Sequence, residues 1–533
     1  MSTVRDATFE LFRRHGMTTM FGNPGSTELP MLADFPADFR YILGLQEAVV
    51  VGMADGYAQA SGTVTHVNLH TAPGVGNAMG ALFNAQANHS PLLVTAGQQV
   101  RAQITMQANL TNRDATRVVH PYVKWAFEPP RAADVPAAIA QGIHRASLPP
   151  KGPAFVSIPM DDWTEEVADD DVKWVTSRTV TGRAGADPDV VADIARRLES
   201  ARKPIMVAGP DVDASGAWDL AIALAEKQRL GVWASPAPGG GRLGFPEGHP
   251  NFQGTLPPAL GAVASTIEGA DLVLVVGSSV FPYYPYIPGP PLPEGCELVA
   301  ITSDPDEAAR APMGDAVVAD VKLTLAALLA EVAEASDREP PQSVGEAPQL
   351  EDTDPLGAGS VHATLNEVLP DDGIVVLESP TSTMALRNRL RISRPGSYYF
   401  CAGGGLGYGL SAGIGVQLAQ PDRPVVCVLG EGSVQYAVSG FWTAVAYQVP
   451  VTFLILRNNE YGILKWFAEF EQVSGAPGLD LPALETAEIA RGYGVDVKRV
   501  RSRDELREAL AAGIASNGPS LVEVDVAPGM SLF

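Results

Sequence analysis

Apolar residues in this chain fall into short unbroken runs separated by stretches of helical spacing, and the two patterns alternate from end to end. Tyr41 to Leu45, Thr65 to Leu69 and Pro91 to Ala96 read as buried strands, with helices expected over Ala48 to Ala60 and Asn77 to Asn88. Runs at Pro204 to Ala208, Asp271 to Val276 and Glu294 to Ile301 continue the pattern. Nearer the C-terminus, Pro424 to Leu429 and Pro450 to Leu456 are apolar and rich in β-branched residues, as strands covered on both faces are. Tyr436 to Tyr447, between them, has the spacing of a helix. Strands of this kind alternating with helices predict an α/β protein made of doubly wound parallel sheets. Polar stretches at Ser177 to Asp187 and at Ser336 to Gly359, the latter rich in Pro, Gly and acid, suit linkers. They divide the chain into three expected domains of 1–180, 181–340 and 341–533.

A length of 533 residues, 46% hydrophobic and 18% charged, suits three well-buried cores. The formal charge of −24 argues against nucleic acid or an anionic membrane as partner. It does not argue against an anionic small substrate, because a bound cation dominates the field in its own site. Cys296, Cys401 and Cys427 are far apart and read as reduced core thiols rather than a disulfide framework or zinc site. The start, Met1 to Asp6, lacks the apolar core of a signal peptide, and no apolar run reaches spanning length, so a cytoplasmic location is expected.

The chemistry concentrates in two segments. Gly430-Glu431-Gly432-Ser433 follows the first C-terminal strand, and Asn458-Asn459-Glu460-Tyr461-Gly462 follows the second. A strand–helix–strand unit crosses over right-handedly, which puts the Glu431 carboxylate and the Asn458 amide at one carboxyl-terminal sheet edge. Ligands of open α/β sheets bind there. A carboxylate, an Asn oxygen and a backbone carbonyl are hard oxygen donors, as Mg²⁺ carrying a phosphorylated partner requires. An ordinary crossover turn would account for the glycines but not for the Asn pair.

These segments resemble the diphosphate-binding signature of the thiamine diphosphate enzymes, which begins Gly-Asp-Gly and ends in paired Asn. Further stretches resemble the benzoylformate decarboxylase branch of that family: Phe21 to Ser26, Gln46-Glu47-Ala48, Ala54 to Ala58, Asn68 to Gly74, Asn77 to Gly80, Pro91 to Gln99, Gly209 to Asp213, Ala309 to Asp315 and Ser397 to Cys401. The resemblance implies pyrimidine-binding, central and diphosphate-binding domains, the first and third alike in fold. It also implies a site completed between two subunits, hence a homodimer at least and by resemblance a homotetramer.

Carried over residue by residue, Glu47 shares a proton with the aminopyrimidine, and Leu406 props the cofactor in a bent conformation. Gly430, Gly432, Ser433 and Tyr461 line the diphosphate. Glu431, Asn458 and the carbonyl of Glu460 hold Mg²⁺ or a similar divalent cation. Ser26 and His70 meet the substrate carboxylate and move protons at the reacting carbon. Leu110, Phe400, Leu464 and Phe467 keep the pocket apolar.

Four positions depart from the branch: Glu431 replaces Asp, Tyr284 a second His, Ile463 a small Ala, and Pro380 a Thr. The function implied is non-oxidative decarboxylation of an aromatic 2-oxo acid, benzoylformate to benzaldehyde and CO₂. Alternatives are decarboxylation or carboligation of smaller 2-oxo acids or aldehydes, or an inactive scaffold if Glu431 spoils the metal site. A dinucleotide reading of Gly74 to Gly80 is weakened by the next strand, which ends in Gly97-Gln98-Gln99 without the acid that a ribose needs. No motif requires FAD, and the central domain is expected to lack a nucleotide.

Overall fold

The computed structural model describes residues 2–236, 241–281, 284–345, 350 and 352–530. The apolar runs become three six-stranded, all-parallel sheets, because strands with no polar face must be covered by helices on both sides.

The first sheet comprises β1 (Thr19–Gly22), β2 (Arg40–Leu43), β3 (Thr65–Leu69), β4 (Leu92–Gln98), β5 (Trp125–Phe127) and β6 (Ala154–Pro159). The second comprises β7 (Pro204–Ala208), β8 (Gly231–Ala234), β9 (Phe252–Thr255), β10 (Leu272–Val276), β11 (Glu297–Thr302) and β12 (Asp315–Val318). The third comprises β13 (Ile374–Glu378), β14 (Tyr398–Phe400), β15 (Val425–Gly430), β16 (Val451–Arg457), β17 (Asp496–Val500) and β18 (Ser520–Asp525).

The spatial orders are β2-β1-β3-β4-β6-β5, β9-β8-β7-β10-β11-β12 and β14-β13-β15-β16-β18-β17. Counted within each sheet, the first and third share one order, and the second has the order of a dinucleotide-binding sheet.

Helices α1 (Glu47–Ser61) and α2 (Thr71–Ala87) follow β2 and β3, and α3 (Tyr408–Ala419) follows β14. Helices α1 and α3 pack on each other so closely that a Cβ on Gly56 would lie 2.2 Å from the Ala412 carbonyl oxygen, and one on Gly415 1.8 Å from that of Met53. Only hydrogen fits at either position. One apolar core therefore runs from Phe21 and Ile42 through Val50 and Met53 to Leu410, Ile414 and Cys427.

Three expectations need correction. The helix expected over Asn77 to Asn88 starts earlier: α2 opens at Thr71, two residues after β3 ends, and takes in Gly74 and Gly76. The helix expected over Tyr436 to Tyr447 is shorter, a one-turn α4 (Glu431–Val434) followed by α5 (Gly440–Ala446). The acidic linker ends sooner than Gly359, since a helix runs over Ala358–Val368. Cys296, Cys401 and Cys427 are free, as expected. No helix among the described residues is long and apolar enough to cross a membrane.

Candidate active site

Strands β15 and β16 run in register, Gly430 opposite Leu456, so the residues that follow them emerge side by side. Glu431, 2% exposed, opens α4. Its Oε1 accepts the backbone N–H groups of Asn458 at 3.0 Å and Asn459 at 2.6 Å. Burial raises its carboxyl above the ordinary range, and those amides oppose the rise. The Asn458 Oδ1 accepts the Glu460 N–H at 3.2 Å. Asn459 is left-handed, φ +58°, a conformation that Asn tolerates. A Cβ on Gly432 would lie 2.6 Å from the Tyr461 ring, so glycine keeps that space open.

Beside this pair lies a cavity of about 550 Å³. Leu406, Gly430 to Ser433, Asn458, Glu460 and Tyr461 line one part of it, and Pro380, Phe400, Ile463, Leu464, Phe467 and Tyr284 line another. Helix α6 (Gly462–Phe470) supplies three of these apolar walls. Tyr284 is 62% exposed and donates its N–H to the Pro258 carbonyl at 2.7 Å. Its ring lies 4.9 Å from that of Phe467, tilted by 32°.

A second cluster forms at the carboxyl edge of the first sheet. Glu47 is buried at the first position of α1. Its Oε1 accepts the Asn23 side-chain amide at 3.1 Å and its Oε2 that of Asn77 at 3.0 Å. His70 follows β3 directly, with Nδ1 2.9 Å from Glu28 Oε2 and 3.2 Å from Thr27 Oγ1. Glu28 is buried and also accepts the N–H groups of Gly25 at 2.7 Å and Gly97 at 2.9 Å. A carboxylate can only accept, so Nδ1 carries the proton and Nε2 is left for a reactant. Thr71, next in the chain, has φ +35°, strain of the kind that collects at functional sites. Ser26 is exposed, next to Gly25, whose Cβ would lie 2.1 Å from His70 Nδ1. Leu110 is left-handed, φ +69°, and half-buried.

The structure thus gathers the expected residues into two groups. None of Ser26, Glu47, His70 and Leu110 lines the 550 Å³ cavity. Sequence reasoning did not assign roles to Glu28, Asn23 or Asn77. The last two lay inside stretches already singled out, and Glu28 stands two positions after Ser26.

The donors at the third sheet fit a divalent cation with a diphosphate. One carboxylate, one amide oxygen and one backbone carbonyl are hard ligands that leave positions free for phosphate oxygens. The cavity beside them is large enough for a small-molecule cofactor.

Comparison with known proteins agrees. Residues 2–117, 191–328 and 380–524 match the families described as thiamine pyrophosphate enzyme N-terminal TPP binding domain, central domain and C-terminal TPP binding domain. The chain is 50% identical over 525 residues to a benzoylformate decarboxylase of Pseudomonas aeruginosa, covering 98% of this chain and 99% of that protein. A 4-hydroxybenzoylformate decarboxylase from Rhodococcus jostii RHA1 superposes with a TM-score of 0.96 at 45% identity, over 99% of this chain and 100% of that one. The benzoylformate decarboxylase of Polynucleobacter necessarius gives 0.96 at 40% identity, over the full length of both.

Proposed function

The chain belongs to the thiamine pyrophosphate enzymes, and from that premise we propose that it is a carboxy-lyase releasing CO₂ from an aromatic 2-oxo acid of the benzoylformate type to leave the aldehyde. The observation that carries the substrate class is the wall of the cavity beside the Glu431–Asn458 pair, which Phe400, Phe467 and Tyr284 line with aromatic side chains suited to an aryl group.

Thiamine diphosphate, with Mg²⁺ or a similar cation, supplies when bound an electron sink for the pair released with CO₂. Glu431, Asn458 and the Glu460 carbonyl would hold the cation, and Leu406 would support the cofactor. Glu47 holds or gives a proton at a ring nitrogen, its carboxylate fixed by Asn23 and Asn77 so that no reorientation is needed. His70 moves a proton at the reacting carbon through Nε2, its ring set by Glu28, and Ser26 meets the substrate carboxylate. Tyr284 shapes the pocket, its ring packed 4.9 Å from that of Phe467.

Glu47 and His70 do not line the cavity of their own chain, which supports a homodimer in which one subunit's first sheet completes the partner's cavity. The exposed apolar rim of Tyr284, Leu464 and Phe470 would be covered by such a contact.

Release of CO₂ from a panel of aromatic and aliphatic 2-oxo acids, with thiamine diphosphate and Mg²⁺ added, tests the reading. Benzoylformate and its ring-substituted forms should lead the panel and yield free aldehyde. Turnover of aliphatic acids alone would overturn the substrate class, and 2-hydroxy ketone as the main product would make the enzyme a ligase. A monomeric mass in sedimentation together with full activity would overturn the dimer.

A further inference from the structure

The loop carrying Leu406 has no regular structure from residue 401 to 407 and contains Gly403, Gly404, Gly405 and Gly407. Two of them, Gly404 at φ +75° and Gly407 at φ +98°, are left-handed. A segment this rich in glycine has little stiffness of its own. Its shape comes from side chains on either side.

Asn84, on the last turn of α2 and 3% exposed, grips Gly405 by both its backbone N–H and its carbonyl. Its Oδ1 accepts the Gly405 N–H at 3.0 Å, and its Nδ2 donates to the Gly405 carbonyl at 2.8 Å. A Cβ on Gly405 would lie 2.7 Å from Asn84 Oδ1, so the amide fits only against glycine. Asn88, one turn on, accepts the Ala402 N–H at 3.0 Å and is itself fixed by Asp55 at 2.9 Å. From the other side Glu378, at the end of β13, accepts the N–H groups of Tyr408 and Gly409 at 3.0 Å each, anchoring the start of α3. Leu406 stands between these anchors and lines the cavity.

We propose that Asn84 is a positioning residue for the cofactor: its two hydrogen bonds to Gly405 aim Leu406 into the cavity, so that a first-sheet helix sets the floor of a third-sheet site. This rests on the thiamine diphosphate reading above. Helix α2 begins one residue after His70, so one rigid element joins the histidine that serves the partner's cavity to the loop that lines this chain's own.

The test is a double-mutant cycle between Asn84 and Leu406 on the full-length protein, read as the dissociation constant for thiamine diphosphate at fixed Mg²⁺ by tryptophan fluorescence, and separately as kcat. Asn84→Ala removes both bonds and should weaken cofactor binding about tenfold. Asn84→Asp keeps the shape, retains the acceptor and sets a carboxylate oxygen against the Gly405 carbonyl, so it should lose at least as much. It also stands in for Asn84→Ala if that variant loses its fold, judged by circular dichroism. In a Leu406→Ala background either change should add little, because its route to the cofactor is gone. Wild-type cofactor affinity in Asn84→Asp would overturn the proposal, as would losses from Asn84 and Leu406 changes that simply multiply. Failure of the unmodified protein to bind thiamine diphosphate would overturn the cofactor reading instead.

Discussion

The first and third sheets have the same strand order and opposite equipment. After the strand second in sequence the first sheet carries Glu47, and the third carries the Leu406 loop. After the strand third in sequence the first has His70, and the third has Glu431. At matching edge positions, one sheet thus presents Glu47 and His70, which we propose hold and move protons, and the other presents oxygen donors and apolar walls. The fold supplies equivalent edges, and the side chains placed there divide the work. Helices α1 and α3, which follow the second strands, pack on each other and tie the halves together.

Substitutions on the two sheets should therefore separate chemistry from binding. His70→Ala should lower kcat/KM by roughly 10²–10⁴, the scale of a general acid–base, and leave the thiamine diphosphate dissociation constant unchanged. Glu431→Ala should weaken Mg²⁺-dependent cofactor binding beyond the roughly 10–10² typical of residues that only support a metal ligand, whereas Glu431→Asp should bind normally. Steady-state kinetics and a cofactor titration on each variant decide it. If both changes act on the same parameter, the division between the sheets is wrong. Tyr284→Phe, which removes only a hydroxyl, should cost far less than His70→Ala.

Glu28→Gln comes next in size. It keeps the volume and removes the charge that fixes His70 Nδ1–H, so a charge-assisted bond becomes a neutral one. About 10–10² in kcat should go, less than for His70→Ala, with cofactor affinity again unchanged. Equal losses in the two variants would mean that Glu28 itself contacts the reactant.

Much of this architecture is legible along the chain. Strands Thr65–Leu69 and Pro204–Ala208 have the bounds expected of them, and both faces of each are buried. The Glu431 and Asn458 pair is legible because each residue directly follows such a strand, and a parallel crossover leaves them little choice of edge. The start of α2 is not legible. Pro73, Gly74 and Gly76 argue against a helix locally, yet Gly74 must lie against Glu47, whose Oε1 would be 3.2 Å from a Cβ there. That constraint comes from tertiary packing. Glu28 escaped for a similar reason: Gly97, one of its partners, is 69 positions away. The grip of Asn84 on Gly405 spans 321 positions, beyond any local pattern.

The tie between the halves can be tested at Gly415. Its Cβ would meet the Met53 backbone at 1.8 Å, and backbone cannot swing aside as a side chain can. Gly415→Ala should force α1 and α3 apart and cost about 1–3 kcal/mol, seen as a lower Tm. Because α1 opens with Glu47 and α3 follows the Leu406 loop, catalysis and cofactor affinity should fall together. A variant as stable and active as the parent would show that the two helices can slide independently.

The smallest effect expected concerns the central sheet, which is tied to the first by charge. His89, just beyond α2, lies 3.7 Å from Asp211 and 3.6 Å from Asp304, with Glu307 close by. Burial would lower its pKa, but Asp211, Asp304 and Glu307 outweigh that and raise it above the ordinary imidazole range. Unfolded, the imidazole titrates near 6.5. The folded state binds the proton more tightly, so the ion pairs contribute fully below about pH 6.5 and are lost as the pH rises through the raised folded value. His89→Asn suits the comparison, since position 89 has φ +52°, which Asn tolerates. Separations of 3.6–3.7 Å exceed those of good hydrogen bonds, which holds the gain to about 1 kcal/mol. Urea unfolding of both proteins from pH 6 to 10 should show the parent more stable at pH 6 and the gap closing towards pH 10. A gap constant over that range would mean that His89 joins the domains through packing rather than charge.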